Sequence, residues 1–462
     1  MSDYSASALA MLTEFFTTDT IEQTARRTGF VKRTSKITGK LFVALVTFGL
    51  WSNAKTTLSQ LATKVTQLGM HQSVSAEAIH QRMNKRAVAF LQDLLQQALA
   101  KIQALNYPCE DGVFKFFTHV YLADSTGFGL PECLKTLFPG SGGHASPSGA
   151  KIQLVWEYKR SLFAHFALTA GTIPDQKYVD HVVSLAQKGS LFLFDLGYFK
   201  IKAFACISQV GAYFLSRLNH QTNLYEGVSS QLPPLDLVKL LKKTSCDLID
   251  KDICIGEADR VASRLIAVRL PDDIVNERRR VARRKAKKKG YNPTEAHLFL
   301  LGWNLFITNV PRDVWTPQTV MKAYPMRWQL ELIFKSWKSH CHLSAINAKK
   351  KETILCYLYG RMLLVLLTYA LYPQVRSLVW TKQHRELSLL KFVCHFQALA
   401  DSWMKVIFES ELALRRFLQV ACAEAERLAL KASRKRRTSA QTLRESLDQQ
   451  TESLEVAAAV NA

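Results

Sequence analysis

The sequence predicts an α/β protein whose mixed sheet lies between helical N-terminal and C-terminal regions. Three observations lead to this fold class. Residues 75–102 and 352–430 carry apolar residues at helical spacing. Residues 111–218 instead alternate short apolar, β-rich runs with helical segments, in the order β-β-β-α-β-α-β. From 219 to 305 the alternation gives way to short β-like pieces around a strongly basic run, which predicts a β-rich insert.

The strands of the predicted sheet are bounded by polar residues, and two of them end on an aspartate. In chain order, the strands are predicted at 117–124, 150–159, 161–170, 190–195 and 212–218, with helices at 175–187 and 196–209. The first strand ends at Asp124 and the fourth at Asp195. Because ligands of such sheets bind at strand ends, these two aspartates mark the predicted site.

The chain is strongly basic. Lysine and arginine number 61 against 38 acidic residues, a formal charge of +23. An excess of this size repels itself unless an anion offsets it, and nucleic acid is the commonest such partner. The longest apolar runs, 41–51 and 362–372, are about half of the roughly 20 residues that span a bilayer, so no membrane partner is expected. Scattered cysteines without a CxxC pair, and no secretory signal, predict a cytoplasmic protein.

Two segments concentrate the positive charge. Residues 25–40 are rich in lysine and arginine and contain no acid, and residues 278–289 hold nine cations in twelve positions. Each segment is either a solvated surface or a stretch that contacts phosphates. For the second segment we predict contacts with the DNA backbone from its cations, among them Arg283, Arg284, Lys287 and Lys288.

The stretch "YPMRWQLELIFKSWK" (324–338) places one glutamate among cations and apolar residues. On a helix, Tyr324, Arg327, Glu331 and Lys338 fall within an arc of about 60°, beside an apolar face. A surface helix with solvated ion pairs has the same pattern. So does a site where an acid, metal ions and a polyanion meet.

Asp124, Asp195 and Glu331 form the predicted catalytic constellation. A carboxylate at the end of a buried strand is costly unless it is paired or binds a metal. Two such aspartates and a helix glutamate can hold two divalent cations, which promote in-line phosphoryl transfer. Mg²⁺ is the expected ion, with Mn²⁺ as a substitute, because its shell combines a few carboxylates with water and phosphate. Tyr324 and the cations of its segment would then bind phosphates beside the metals.

These residues resemble a known family. The Y-x2-R-x3-E-x6-K spacing of 324–338 is similar to the YREK signature of bacterial insertion-sequence transposases of the insertion sequence 4 type. "LADSTGF" (122–128) and "LFDLGYF" (193–199) resemble that family's two aspartate blocks, and "FPGSGG" (138–143) resembles the loop after the first. The resemblance covers about residues 110–345.

The resemblance implies a fold, a reaction and partners. The fold is a ribonuclease-H-like core with a β-rich insert between Asp195 and Glu331. The reaction is that of a DDE transposase: Mg²⁺-dependent cut-and-paste transposition of DNA, in which water and then a 3′-hydroxyl act as nucleophile and a DNA hairpin forms and is resolved. The implied partners are transposon ends and target DNA, bound by a homodimer that the DNA bridges, at the bacterial nucleoid.

Two further residues are predicted to contact DNA, the first from the family resemblance and the second from its position at the end of the strand 212–218. Trp303, in the insert, would stack on a base flipped out of the duplex, and Arg217 would contact DNA. A core tryptophan and a structural ion pair are the alternatives that the residues themselves leave open.

Five regions are therefore expected. They are a helical DNA-binding domain at 1–108, a first part of the catalytic core at 109–218, the β-rich insert at 219–305, a second part of the core with the glutamate helix at 306–372, and a helical C-terminal region with a partly disordered tail at 373–462. Two rival functions fit the same residues. A degenerate or domesticated transposase would bind DNA without cleaving it, and a metal nuclease would hydrolyse DNA without strand transfer.

Overall fold

A computed structural model describes residues 6–68, 73–105, 107, 112–142, 146–229 and 231–432. Its strands form one nine-stranded sheet in the order β3-β2-β1-β4-β5-β9-β8-β7-β6. The strands are β1 Val120–Leu130, β2 Ser148–Glu157, β3 Leu162–Ala170, β4 Leu191–Phe194, β5 Tyr213–Arg217, β6 Leu224–Tyr225, β7 Leu248–Ile255, β8 Val261–Arg269 and β9 Trp303–Thr308.

Helices precede, cover and follow the sheet. The N-terminal group is α1 Ala6–Thr17, α2 Thr20–Arg27, α3 Gly39–Val46, α4 Leu58–Gln67, α5 Ala76–Arg82 and α6 Lys85–Gln103. Those between strands are α7 Asp175–Val183, α8 Ile201–Gln209, α9 Leu237–Lys243, α10 Asp272–Lys288 and α11 Glu295–Leu300. The last group is α12 Pro317–Ala323, α13 Trp328–Ser339, α14 Lys351–Tyr369, α15 Tyr372–Gln383, α16 Leu389–Ala398, α17 Ala400–Val406 and α18 Glu411–Leu428.

The first five strands form a mixed sheet. β1 pairs antiparallel with β2, and β2 with β3, whereas β1 pairs in parallel with β4 and β4 with β5. The central strand β4, with the sequence LFLF, is buried along its whole length, as expected for a parallel strand covered on both faces. This ribonuclease-H-like arrangement confirms the predicted fold class.

The prediction that Asp124 ends its strand is wrong. β1 continues for six residues beyond Asp124, to Leu130, because β2 supplies it with an antiparallel partner along that length. Its parallel pairing with β4 does stop just before the aspartate, at Leu122 opposite Leu193. Asp124 and Asp195 therefore still lie next to each other, where the β1–β4 ladder ends.

The insert extends the sheet of the catalytic core. β9 pairs antiparallel with β5 on one side and with β8 on the other, and β7 and β6 continue outward from there. β9 spans Trp303–Thr308 and so runs across the boundary predicted between 305 and 306. The basic run forms α10, and its exposed side chains include Arg283, Arg284, Lys287 and Lys288.

The N-terminal helices pack against the C-terminal ones in a single apolar core. Gln92 of α6 donates a hydrogen bond to the Tyr359 hydroxyl of α14 over 2.7 Å, and the Trp51 indole N–H donates to the His340 carbonyl over 2.9 Å. The basic 25–40 segment folds back on α5, where the Arg82 guanidinium lies 4.7 Å from the centre of the Phe30 ring. Helices α1 to α6 thus share their core with the last hundred residues that the structure describes.

One helical stretch, Lys351–Gln383, is long and apolar enough to cross a membrane, and the most apolar part of it is entirely buried within the folded chain. Burial of this kind is typical of a core helix of a globular protein, which can be as long and as apolar as a membrane-spanning helix. The tail that the sequence predicts to be partly disordered begins at 433 and lies outside the described residues.

Candidate active site

The Arg327 side chain lies at the centre of the three predicted catalytic carboxylates. Its Nη1 donates to Asp124 Oδ2 over 3.0 Å and its Nη2 donates to Glu331 Oε1 over 3.3 Å. Its Nε lies 4.0 Å from Asp195 Oδ1. Arg327 itself is only 8% exposed. Three acids that are far apart in the chain therefore converge on one guanidinium.

Separate elements hold the four groups in place. Asp124 lies within β1, Asp195 directly follows β4, and Glu331 is in the first turn of α13. An acid is favoured in that turn because the helix dipole presents partial positive charge there. Arg327 ends a short 3₁₀ turn that begins at Tyr324, immediately before α13. The prediction of one continuous helix over 324–338 is wrong at this end, where Pro325 lies in the turn.

Burial, together with the smaller effects of the nearby charges of Asp195 and Asp175, raises the pKa of Asp124, and the net value is about 6. The Ser125 backbone N–H, which donates to Asp124 Oδ1 over 2.8 Å, and the Arg327 guanidinium oppose that shift. Burial also lowers the pKa of Arg327, but the surrounding acids outweigh it, so the pKa of the guanidinium ends above its ordinary value. Arg327 is therefore a permanent cation at this point.

The carboxylates fit a divalent metal in their chemistry. All three offer the oxygen donors that Mg²⁺ prefers, and the Arg327 contacts show that they face a common point. No three acidic, histidine or cysteine side chains within the described ranges lie close enough together to form a ligand set as they stand. The guanidinium occupies the space between the acids, and its buried Nε lacks a hydrogen-bond partner. Asp124, Asp195 and Glu331 would hold the metal ions once Arg327 turns toward another anion.

A cleft of about 330 Å³ opens beside these groups. Asp195, Arg217, Tyr324 and Arg327 contribute to its lining. The Tyr324 ring packs 5.1 Å from the ring of Phe306, and the Arg217 guanidinium lies 5.9 Å from the centre of the Tyr324 ring. Burial raises the pKa of Tyr324, so its hydroxyl remains a hydrogen-bond donor at neutral pH. The structure thus places Tyr324 and Arg217 in the same cleft as Asp195 and Arg327, and their contacts with DNA stay a prediction.

Lys338 lies at the other end of α13. Its ammonium donates to the Gly127 carbonyl of β1 over 3.0 Å. The contact joins α13 to the same strand that carries Asp124. Lys338 is exposed, so it can exchange this carbonyl for a phosphate oxygen.

Trp303 is placed differently from the other predicted DNA contacts. It is 5% exposed and packs with Leu241 and Ala267 in a small core of the insert. The Arg269 guanidinium lies 4.8 Å from the centre of its ring. This placement is that of a core tryptophan in the DNA-free chain, and the stacking role stays a prediction.

Comparison with known proteins identifies the family. Residues 115–367 match the family described as "Transposase DDE domain". The chain belongs to the DDE transposases. It is 29% identical over 438 residues to the transposase for insertion sequence element IS1151 of Clostridium perfringens, covering 91% of this chain and 92% of that one. It is also 29% identical over 394 residues to the transposase for IS231B of Bacillus thuringiensis subsp. berliner, covering 81% of each.

A solved structure shares the shape of the chain more distantly. The piggyBac transposase in its synaptic complex with hairpin DNA superposes with a TM-score of 0.47 at 11% identity, covering 94% of this chain and 88% of that one. That likeness is too weak to support an inference about the reaction of this DDE transposase.

Asp175 is a fourth acid beside the three predicted catalytic carboxylates. Its Oδ1 accepts hydrogen bonds from the Ser125 hydroxyl over 2.8 Å and from the Lys151 ammonium over 3.2 Å. The sequence shows this residue, but its place on a predicted helix argues against a site role. It is in fact the first residue of α7, so its side chain reaches β1 from the helix end.

Trp328 is a second residue that the sequence analysis missed in this DDE domain. It directly follows Arg327, lines the same cleft as Asp195 and Arg327, and is 61% exposed. A large exposed aromatic ring in a cleft is a surface on which a nucleobase can stack. At 100° per residue Trp328 falls on the face of α13 opposite the buried Trp337, so helical periodicity is the signal that could have found it.

Proposed function

We propose that the chain is the transposase of a bacterial insertion sequence of the insertion sequence 4 type. Its reaction would be metal-dependent cut-and-paste transposition: nicking at the ends of the element, formation and resolution of a hairpin, and transfer of the 3′ ends to target DNA. The observation that carries the proposal is the convergence of Asp124, Asp195 and Glu331 on Arg327. The match to the DDE family and the IS1151 and IS231 relatives support it.

The acids would hold the metals that the reaction needs. When bound to Asp124, Asp195 and Glu331, two Mg²⁺ ions would activate the attacking oxygen and neutralise charge on the leaving oxygen. Arg327 has two roles in this scheme. In the DNA-free chain it offsets the repulsion between the three acids, and with DNA present its planar guanidinium can bind a phosphate in a bidentate manner.

The other polar groups of the cleft would position the DNA strand. Tyr324 donates a hydrogen bond from a hydroxyl that its raised pKa keeps protonated. Arg217 and Lys338 supply positive charge on either side of the carboxylates. Trp328 presents an exposed ring to a base of the same strand. Together these groups orient one phosphate relative to the acids, which is the main task of a protein in phosphoryl transfer.

The proposal extends to partners and location. The formal charge of +23 and the exposed cations of α10 favour long contacts with DNA. Cut-and-paste joining of two ends requires both ends in one complex, which a homodimer bridged by DNA would supply. A bacterial cytoplasmic location at the nucleoid would give the protein access to the element ends and to target DNA.

The test is a cleavage reaction on the natural ends. Linear DNA carrying the inverted repeats that flank the gene is incubated with the full chain and Mg²⁺, and the products are separated on a denaturing gel. Nicked, hairpin and joined products are expected. Binding without cleavage would instead support a degenerate transposase, and cleavage without joining would support a nuclease.

Three variants and one control test the carboxylates. Asp124→Asn, Asp195→Asn and Glu331→Gln should each abolish cleavage and retain DNA binding, because affinity comes mainly from phosphate contacts elsewhere. Asp180→Asn is the matched control, since Asp180 is an exposed acid of α7 that pairs with Lys200. Normal cutting by any of the three variants would exclude that residue from the site.

A further inference from the structure

Three cavities of the structure meet at Arg217. It lines the catalytic cleft, a neighbouring cavity of about 130 Å³ and a third of about 440 Å³ that runs along α10. Arg278 and His297 line the second and third cavities, and Asn304 lines the first and second. Because adjacent cavities share wall residues, they form one groove from Asp195 to the basic helix α10.

A pair of histidines lies in the wall of this groove. His220 follows β5 and His297 lies on α11, and their ring centres are 5.0 Å apart. His220 is exposed and His297 half-buried. Partial burial and the neighbouring His297 both lower the pKa of His220 from its ordinary value of 6.5. The His220 imidazole is therefore neutral at physiological pH in the DNA-free chain.

Two arginines stand beside the histidines without an acidic partner. Burial and the positive charge of Arg217 both lower the pKa of Arg278, which shows that these two cations face each other. Arg278 donates only to neutral groups, the Asn304 side-chain oxygen over 2.9 Å and the Trp303 carbonyl over 3.5 Å. Neither arginine forms an ion pair with an acid in the part of the chain that the structure describes. Like charges fixed at close range are stabilised by a bound anion.

The other charged groups around the pair leave the cluster positive. On α10, Glu277 pairs with Arg280 and Arg279 donates to the Leu298 carbonyl. Lys242 of α9 lies over the Phe299 ring. α9 also carries Lys239 and Lys243, and α11 begins with Glu295. The other charged residues of α10 are two acids in its first turn and five cations further on, of which Lys285 lines the groove: Asp272, Asp273, Arg283, Arg284, Lys285, Lys287 and Lys288. Of the two acids that line the groove, Glu277 is paired with Arg280, and Asp195 lies at the catalytic end beside Arg327.

We propose that Arg217, His220, Arg278 and His297 form a second phosphate-binding site, which takes a phosphodiester of the DNA strand leaving the catalytic cleft and takes up a proton as it does so. The inference rests on the proposed function in one respect, that DNA is the ligand. It adds where the strand runs and that its binding depends on pH. We call these four residues the Arg–His cluster.

Proton uptake is expected from the chemistry of the cluster. A bound phosphate favours the charged imidazolium, because the opposite charge raises the pKa of a neighbouring histidine. The His220 imidazole is then more protonated in the DNA complex than in the free chain. By linkage, DNA affinity increases as pH falls, by up to about tenfold per pH unit for each proton taken up. Above the pKa of the bound state the arginines alone hold the phosphate and the pH dependence disappears.

Binding measured without metal isolates this effect from cleavage. A fluorescein-labelled linear duplex is titrated with protein in EDTA at constant ionic strength, from about pH 8 to about pH 5.5, and anisotropy gives Kd. All proteins carry Asp124→Asn, because Asp124 has a pKa of about 6 and would titrate in the same window. This parent protein should bind about 3–10-fold more tightly at the low end of the range.

The histidine variants decide the inference. His220→Gln with His297→Gln should flatten the pH profile, and each single substitution should reduce its slope. His119→Gln is the control: burial also lowers the pKa of His119, but it lies just before β1, outside the groove, and its variant should keep the parent profile. Melting temperatures measured alongside show that each variant is folded. Should the double variant misfold, the exposed His220 still allows the single variant to decide.

Two results would overturn the inference. One is a parent protein whose Kd does not change with pH. The other is a histidine variant that keeps the full pH dependence. Cleavage of end-bearing DNA by the unmodified chain at about pH 8 tests the proposed function separately, so either result would leave that function standing.

Discussion

Arg327 and Asp124 are 203 residues apart in the chain, and the guanidinium of one donates to the carboxylate of the other over 3.0 Å. The contact joins the helix that carries Glu331 to the strand that carries the first aspartate. It also places a positive charge where the three acids would otherwise repel one another. Arg327 thus preserves the geometry of the acids before any metal or DNA binds.

We expect Arg327→Gln to make the chain depend on divalent metal for its stability. Loss of the guanidinium leaves three acids close together, at a cost of about 1.5–3 kcal/mol in the free energy of unfolding, as for a hydrogen bond to a charged group. Mg²⁺ should restore more stability to this variant than to the unmodified chain, because nothing then competes for the acids. Thermal melting with and without Mg²⁺ measures both effects.

Arg312→Gln is the matched control for that experiment. Arg312 also contacts two acids, Asp250 and Asp252, but its side chain is 46% exposed. Its loss should cost less than about 1 kcal/mol, as for exposed pairs, with no added response to Mg²⁺. An equal response to Mg²⁺ in the two variants would contradict the role given to Arg327.

Cleavage should decline as pH falls below about 6, the pKa of Asp124. A protonated carboxyl is a poor metal ligand, so the rate should drop about tenfold per pH unit below that value. Higher Mg²⁺ should move the midpoint to lower pH, because metal and proton compete for the same oxygen. Nicking rates from about pH 5 to about pH 8 at two Mg²⁺ concentrations measure this midpoint. A midpoint that is the same at both Mg²⁺ concentrations would argue against Asp124 as a metal ligand.

The effect of the same group on folding has the opposite sign. The pKa of Asp124 is raised from 3.8 to about 6 in the folded chain, so the folded state holds the proton more tightly than the unfolded state. Its contribution to stability is therefore present below pH 3.8 and is lost as pH rises to about 6. The carboxylate that the proposed reaction would use is thus a cost to the stability of the metal-free fold.

The exposed cations of α10 should contribute to the salt dependence of DNA binding. Replacing Arg283, Arg284, Lys287 and Lys288 with glutamine should flatten the plot of log K against log salt by about 0.9 for each phosphate that the variant no longer neutralises. Arg415→Gln with Arg416→Gln, two exposed cations of α18, gives the comparison. An unchanged slope in the quadruple variant would mean that this face of α10 is only solvated.

Trp303→Ala should destabilise the chain. Removal of a buried tryptophan costs about 3–5 kcal/mol, and Trp303 is 5% exposed. Trp328→Ala, which removes a side chain that is 61% exposed, should leave the melting temperature nearly unchanged. The opposite result would be a Trp303→Ala variant that melts and nicks normally but accumulates nicked DNA. If an abasic site in the DNA then restores hairpin formation by this variant, the Trp303 ring stacks on a flipped base, as the family resemblance implies.

Local patterns in the sequence predict much of the site but not its long-range contacts. The ion pair between Arg327 and Glu331 is expected from their spacing of four residues. The continuation of β1 past Asp124 is not, because it depends on pairing with β2. The predicted helix argues against Asp175, although a residue at a helix end can reach a strand.

The Arg–His cluster shows a second limit. Arg217 and His220 belong to the end of β5, whereas Arg278 and His297 lie about sixty to eighty residues later in the insert. The pairing of β5 with β9 brings these two parts of the chain together. Periodicity reports the face of a single element and carries no information about which distant elements pair, so the cluster could not be predicted.

The packing of the two helical ends has a consequence for how the chain folds during synthesis. Tyr107 donates to the Ala370 carbonyl over 2.5 Å, and α6 lies along α14. The N-terminal helices therefore leave the ribosome long before the C-terminal helices that they pack against are synthesised. Their apolar faces stay exposed until the whole sheet has been synthesised. Such distant pairings make folding slow and leave apolar surface exposed in intermediates. A truncated translation product would carry those helices without a core, and it would be a substrate for chaperones and proteases before it could bind an end of the element.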